Sequence, residues 1–434
     1  ADIISPEFKG SGHKVVLLEP AYDENGLPVT ESLKAIFDEA NAMIASGQAL
    51  SAYALGMGGI LEAVFKMAIG NGYGLDFEEL SEDEISAYKY GSILLECVED
   101  DKHRLIGTTN DNQSLCYKGE EIALAEILKP YEDRLEGVYS CNIKTSGKAE
   151  NISSDIRAKI LSPMPTAKPK VLIPVFPGTN CEYDSAKAIR DAGGLPEIVV
   201  INNLNALGIK ESVDIFANKL KDSQMIFIPG GFSGGDEPDG SGKFITAFFR
   251  NEAIKDGVED LMDQRGGLIC GICNGFQALI KLGLVPYGKI VEMDDSMATL
   301  TYNTIGRHQS KIVRTRIAST LSPWLAKCQV GDICNVPISH GEGRFLASDE
   351  LLKQLIENGQ VATQYVDLEG NATMDIQYNP NGSVMAIEGI TSPDGRVFGK
   401  MGHSERIGKG LYKNVPGNYD IRMFEAAVDF FKKQ

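Results

Sequence analysis

From Pro169 onward the chain alternates short apolar runs with amphipathic stretches, and no other feature constrains its fold as tightly. "PKVLIPVF" (169–176), "PEIVVIN" (196–202), "QMIFIPGG" (224–231) and "GLICGI" (267–272) are almost continuously apolar. Between them stand "CEYDSAKAIRDAGG" (181–194), "ESVDIFANKLKD" (211–222) and "GKFITAFFRNEAIKDGVEDLMDQRG" (242–266), each reading as helix. A strand that is apolar on both sides needs cover on both faces. Such strands alternating with helices predict an α/β domain built on a doubly wound parallel sheet. In such sheets the site lies at the carboxyl ends of the strands.

The first 145 residues read differently. "HKVVLLEP" (13–20), "GSILLECVED" (91–100) and "HRLIGTTN" (103–110) read as strands. "TESLKAIFDEANAMIASG" (30–47) reads as a helix with Thr30 as N-cap. "ALGMGGILEAVFKMAIGNGYGLDF" (54–77) reads as a glycine-rich turn feeding a helix that ends at Gly70, and "EEIALAEILKPYEDRL" (120–135) as another helix. This mixture predicts a separate α+β domain over 1–145. A polar, Pro-bearing linker is expected over 146–168, and the α/β domain over 169–434. The glycines of "GMGGI" (56–60) precede a helix whose N-terminus could hold a phosphate.

Charge narrows the partners. The net charge is -18 over 434 residues, and residues 1–150 carry 27 acidic against 12 basic groups. So acidic a first third repels phosphate backbones, which excludes nucleic acid and anionic membranes as expected partners. No apolar run approaches the roughly 18 residues of a membrane span. The opening "ADIISPEFKG" lacks an initiator Met and a basic n-region, so an interdomain junction of a longer polypeptide is expected there. Eight scattered cysteines fit reduced thiols and a cytoplasmic location.

"LICGICNGFQALIKLG" (268–283) holds Cys270 and Cys273. As half of a zinc site the pair has no second close pair to join, so no metal is expected. As a redox pair it would put Cys270, its first cysteine, inside an apolar strand rather than at a helix N-terminus. As a nucleophile elbow, "GICNG" (271–275) puts Cys273 at the strand–helix junction, with Gly271 and Gly275 permitting the tight turn. The helix N-terminus then favours the thiolate, the Asn274 N–H can donate to an oxyanion, and Cys270 is a core residue.

A nucleophile needs a base. His403 and Glu405 in "GKMGHSERIG" (399–408) have H-x-E spacing, which in an extended segment puts both side chains on one face. Glu405 could then orient the imidazole. His340 and Glu342 in "PISHGEGRF" (337–345) repeat the spacing and form a rival triad. "IPGGFSGGDEPDGSGKF" (228–244) does not match a P-loop. It follows the strand 224–229 and shares the elbow's edge, so the N–H groups of Gly231 and Phe232 could supply a second oxyanion donor.

"GICNGFQ", "PGGFSGGD", "FPGTNCEYD" (176–184), "HGEGRF", "NPNGSVMAIEGITSPDGRVFGKMGHSER" and "TYNTIGRHQS" together resemble the glutaminase domain of the phosphoribosylformylglycinamidine synthase family. "LSAYALGMGGILEAVFKMAIGNGYG" is similar to the C-terminal half of that family's second aminoimidazole-ribonucleotide-synthetase-like unit. The resemblance is to the C-terminal part of the large, single-polypeptide form. It implies a flavodoxin-like class I glutamine amidotransferase domain with a triad of Cys273, His403 and Glu405. It implies glutamine hydrolysis, and ammonia passed to upstream synthetase domains whose ATP and Mg sites would lie mostly outside this chain. No cofactor is implied for the glutaminase step. Gln277 and the Ser339–His340 loop are the glutamine contacts expected on this basis. The family's Pro-His-Pro-Glu is Gly402-His403-Ser404-Glu405 here. Two other classes remain open, a thiol–disulfide protein using Cys270 and Cys273, and an amidotransferase-like binding lobe without turnover.

Overall fold

The computed structural model describes residues 3–141, 143–157, 165–234, 241–294, 296–413 and 415–432. Parts of the expected linker and of the glycine-rich loop, at 158–164 and 235–240, lie outside the described residues. The chain forms two compact units, residues 1–141 with 412–416, and 142–411 with 417–434.

In the first unit seven described strands form one sheet in the order Ala49–Ala54, Ile93–Cys97, Lys14–Leu18, Arg104–Asn110, Gly74–Phe77, Ser114–Tyr117, Glu120–Ala123. Strand residues alternate between faces, and both faces are covered. Val15 and Leu17 join Ile60, Ala63, Val64 and Met67 of the helix Gly59–Asn71. Val16 and Leu18 join Ile36, Ala40 and Met43 of the helix Thr30–Ser46. This explains the uninterrupted "VVLL".

Several expected boundaries move. Val29, extended at ψ 122, is the N-cap of the helix Thr30–Ser46, and Thr30 is already helical. The helix expected to end at Gly70 runs to Asn71 and closes on Gly72 at φ 76. The stretch 120–135 opens as a strand, Glu120–Ala123, and turns helical only at Leu124. At the start of the "GMGGI" helix the Gly58 N–H donates to the Glu62 carboxylate at 2.7 Å.

The second unit holds a nine-stranded sheet in the order Ile333–His340, Gln309–Ile317, Val361–Val366, Ile387–Thr391, Val397–Lys400, Leu268–Ile272, Met225–Ile228, Lys170–Val175, Leu195–Val200. The last five strands are parallel; four are the alternating apolar runs, and the fifth, Val397–Lys400, is added by a hairpin. The first four run antiparallel to their neighbours, so the sheet is mixed. The expected helix 242–266 is two helices, Lys243–Phe249 and Glu252–Asp263, the second capped by the Asn251 side chain. Part of the expected linker is built into this unit. Ile152 is buried in its core and its N–H donates to Gln364 Oε1 at 2.8 Å.

Register places the site. The hairpin through "SPDG" returns Val397–Lys400 parallel to Leu268–Ile272, with Lys400 paired to Ile272. Ile228 pairs with Gly271 on the other side of that strand. The segments that follow residues 228, 272 and 400 therefore leave the sheet at one carboxyl edge.

Candidate active site

Cys273 sits between the strand Leu268–Ile272 and the helix Asn274–Leu282 at φ 53, ψ -107. A side chain at positive φ costs on the order of 1–3 kcal/mol and persists only when its surroundings enforce it. Here the Cys273 N–H donates to the Lys400 carbonyl at 2.9 Å, and the Cys273 carbonyl accepts the Gln277 N–H at 3.0 Å. The two flanking glycines are sterically required. A Cβ on Gly271 would lie 2.6 Å from the Gly275 carbonyl, and one on Gly275 would lie 2.0 Å from the Ile228 carbonyl oxygen.

His403 and Glu405 leave the same edge after Lys400. They lie in a turn rather than an extended segment. The Ser404 N–H donates to the Gly402 carbonyl, and the Arg406 N–H to that of His403. This turn, not a pleat, brings His403 Nδ1 to 2.6 Å from Glu405 Oε1. His403 Nε2 is buried and has no hydrogen-bond partner. Gly230 marks the meeting point, since a Cβ there would lie 2.6 Å from His403 Cε1, 3.2 Å from Cys181 Sγ and 3.4 Å from Cys273 Cβ.

The electrostatics correct one expectation. Cys273 is 3% exposed, and burial first, then Cys181 and Glu405 nearby, push its thiol up to about 12. The Asn274 N–H and Arg406 pull the other way without winning. Desolvation thus outweighs the helix N-terminus, and the resting group is a thiol, not the expected thiolate. For Glu405 burial is the largest influence and raises its pKa, but the His403 charge and hydrogen bond, with Arg406, bring it below the ordinary carboxylate value. A carboxylate beside His403 results.

The other expected residues divide. The Phe232 N–H is already used, donating to the Gly178 carbonyl at 2.8 Å, so it is closed to an oxyanion. Gly231 stands at φ 146, bridged to Thr179. Gln277 is buried as a brace and not free for glutamine. Its Nε2 donates to the Glu342 carbonyl at 2.6 Å, and its Oε1 accepts from Asn274 Nδ2 at 2.9 Å. Asn274 Oδ1 in turn accepts the Ser233 hydroxyl at 2.6 Å. Ser339 does reach Cys273, for its carbonyl oxygen is 3.7 Å from Cys273 Sγ. The rival triad does not form. His340 Nδ1 lies 3.2 Å from Asn303 Oδ1, whereas Glu342 accepts the Ser241 N–H. Burial, with His403 and His308 nearby, lowers His340 to about 3, which leaves it a poor base. Cys270 is fully buried and burial raises its thiol far above the ordinary value, so it is no redox partner in this arrangement.

Sequence reasoning missed three neighbours of this cluster as site residues: Cys181, Arg406 and Lys400. Arg406 donates to Cys181 Sγ at 2.8 Å, and that sulfur lies 3.8 Å from His403 Nδ1. Among the described residues Cys181, His403 and Glu405 form one group able to hold a metal, their ligand atoms within 4.8 Å of one another. The guanidinium on Cys181 and the His403–Glu405 bond occupy those same atoms. "FPGTNCEYD" was the signal available for Cys181.

A buried cysteine on an elbow, beside a histidine–carboxylate pair, is the equipment for acyl transfer. The model of the CobB/CobQ-like glutamine amidotransferase domain matches residues 168–431. The chain belongs to that family. This amidotransferase is 37% identical over 255 residues to phosphoribosylformylglycinamidine synthase subunit PurQ of Methanococcus maripaludis, covering 58% of this chain and 87% of that one. It is 32% identical over 250 residues to the PurQ subunit of Aquifex aeolicus, covering 57% and 95%. Among solved structures, that of PurLQS from Thermotoga maritima matches with a TM-score of 0.44 at 27% identity, over 61% of this chain and 100% of that one. No helix among the described residues is long and apolar enough to cross a membrane.

Proposed function

We propose that this amidotransferase hydrolyses glutamine at Cys273 and supplies the ammonia for conversion of formylglycinamide ribonucleotide to its amidine in purine biosynthesis. The observation that carries the reading is the buried Cys273 elbow on the same sheet edge as the His403–Glu405 pair. Relatives named as a phosphoribosylformylglycinamidine synthase subunit support that ribonucleotide as the ammonia acceptor.

Because Cys273 rests as a thiol, His403 must take its proton as sulfur attacks the side-chain amide carbon of glutamine. The tetrahedral oxyanion meets the Asn274 N–H. His403 then returns the proton to the leaving nitrogen, ammonia departs, and a glutamyl thioester remains. Water, deprotonated by His403, hydrolyses the thioester and restores the thiol. Glu405 holds the ring and stabilises the imidazolium in both halves.

We further read the five parallel strands as a flavodoxin-like class I amidotransferase sheet. The first unit we read as the C-terminal half of an aminoimidazole-ribonucleotide-synthetase-like domain, on its sequence motif. The ATP-dependent amidation would belong to a synthetase centre acting with this chain, and glutamine hydrolysis needs no cofactor. The test is glutamine hydrolysis in the presence of such a synthetase, comparing Cys273→Ala with Cys270→Ser. The first should be inactive and the second should retain turnover. Loss with Cys270→Ser and activity with Cys273→Ala would contradict the reading.

A further inference from the structure

Beneath the turn that carries His403 lies a buried charged pair that the mechanism above does not use. Lys400 ends the strand Val397–Lys400, and Glu388 stands on the antiparallel neighbour Ile387–Thr391. Each is 1% exposed. Lys400 Nζ lies 3.4 Å from Glu388 Oε1, and it donates to the Gly402 carbonyl at 3.0 Å and to Ser404 Oγ at 3.1 Å. Glu388 Oε1 accepts the Gly402 N–H at 2.6 Å, the Thr363 hydroxyl bonds its other oxygen, and its backbone carbonyl accepts the Met401 N–H. The two side chains therefore grip the backbone before His403 and the side chain after it. Lys400 also reaches the nucleophile, since its carbonyl accepts the Cys273 N–H.

Two arguments turn this geometry into a role. A buried ion pair is commonly no better for stability than an apolar pair of the same volume, because both charges must be desolvated. Its presence under a turn is therefore poorly explained by stability alone. Backbone bonds hold the turn on its far side, the His403 N–H to the Pro337 carbonyl and the Arg406 N–H to that of His403, but Gly402, the freest residue type in the backbone, has its N–H held by Glu388. Its lack of a side chain is required by this packing, as a Cβ there would lie 2.7 Å from both Val336 methyls and 3.0 Å from Glu388 Oε1.

We propose that Lys400 and Glu388 are positioning residues, holding the 401–404 turn so that the His403 ring stays aligned between Cys273 and Glu405. The inference rests on Cys273 and His403 being nucleophile and base.

The test compares Lys400→Met, the apolar double variant Lys400→Met/Glu388→Leu, and Glu388→Gln in the 434-residue chain. Three quantities are read: kcat and KM for glutamine, the rate at which a chloroketone analogue of glutamine inactivates Cys273, and the urea midpoint of unfolding. Lys400→Met should lower both kcat and the inactivation rate by about tenfold or more, with KM changed by less than about twofold. The double variant should have a higher midpoint than Lys400→Met, because no unpaired buried charge remains, yet keep the low kcat, a separation that a merely structural pair would not produce. Should either variant fail to fold, Glu388→Gln, which keeps volume and an acceptor for Gly402, decides by the same reduction in kcat. Recovery of kcat together with stability in the double variant, a loss confined to KM, or full kcat in Glu388→Gln would overturn the proposal. Cys273→Ala, run alongside, separates the two levels. If it turns over glutamine, the reading of the site falls; if it is inactive while the pair variants keep full kcat, only the positioning role falls.

Discussion

His403 Nδ1 lies 2.6 Å from Glu405 Oε1, with both side chains shut off from water. The contact assigns the two ring nitrogens different tasks. Nδ1 is committed to the carboxylate, and Nε2 is buried with no hydrogen-bond partner, which the proposed mechanism uses as the proton acceptor. Glu405→Gln keeps the shape but offers an amide that can present its N–H to the ring and favour the wrong tautomer. In steady-state hydrolysis kcat should fall by about 100-fold or more with KM little changed. A kcat within about threefold of wild type would mean that the carboxylate only packs.

The raised thiol gives a pH signature. With His403 removed, nothing in the site is placed to take the proton of Cys273, and its reactivity should follow its own titration near 12. In His403→Ala, the iodoacetamide rate at Cys273, read by mass spectrometry, should climb about tenfold per pH unit from pH 7 to 10 without a plateau. A plateau near pH 8 would show that the helix N-terminus alone stabilises the thiolate.

His340 makes the opposite contribution. Its folded pKa is depressed to about 3, whereas the unfolded chain has the ordinary value of about 6.5. Below pH 6.5 the unfolded state therefore binds more protons. The stability associated with neutral His340 is fully present above pH 6.5 and is lost as pH falls toward 3. Urea unfolding should show that His340→Asn falls less steeply with acid than wild type, by on the order of a few kcal/mol across that window. At neutral pH the same variant should keep kcat within about tenfold, unlike His403→Ala. Equal slopes, or a kcat lost as in His403→Ala, would revive the "HGEGRF" triad.

The elbow was legible because its chemistry is local. Gly271 and Gly275 flank Cys273 at the spacing of a nucleophile elbow, and the contacts at 2.6 and 2.0 Å show why. The parallel strands were legible from their uninterrupted apolar runs. The antiparallel half was not, since strand direction is read from the helices between successive strands, and Gln309–Ile317 and Ile333–His340 have no α-helix between them. The pairing of His403 with Glu405 was expected from a pleat and is made by a turn, so the two residues meet for a different geometric reason. The state of Cys273 was misjudged because burial is a tertiary property, and it outweighed the helix terminus that sequence does reveal. The Phe232 N–H was misjudged because its acceptor, the Gly178 carbonyl, belongs to another loop. Lys400 was passed over because a lysine at a strand end ordinarily reads as solvent-exposed.

The most direct test of the account is the site at which a glutamine-shaped electrophile becomes attached. Of the five buried cysteines, three compete at or near the elbow, with Cys181 beside His403, Cys270 in the strand and Cys273 at the turn. The chain should be treated with a chloroketone analogue of glutamine, digested and mapped by mass spectrometry, with free glutamine as competitor. The account predicts a single glutamine-protectable adduct at Cys273, absent from Cys273→Ala. A protectable adduct at Cys181 or Cys270 would contradict it.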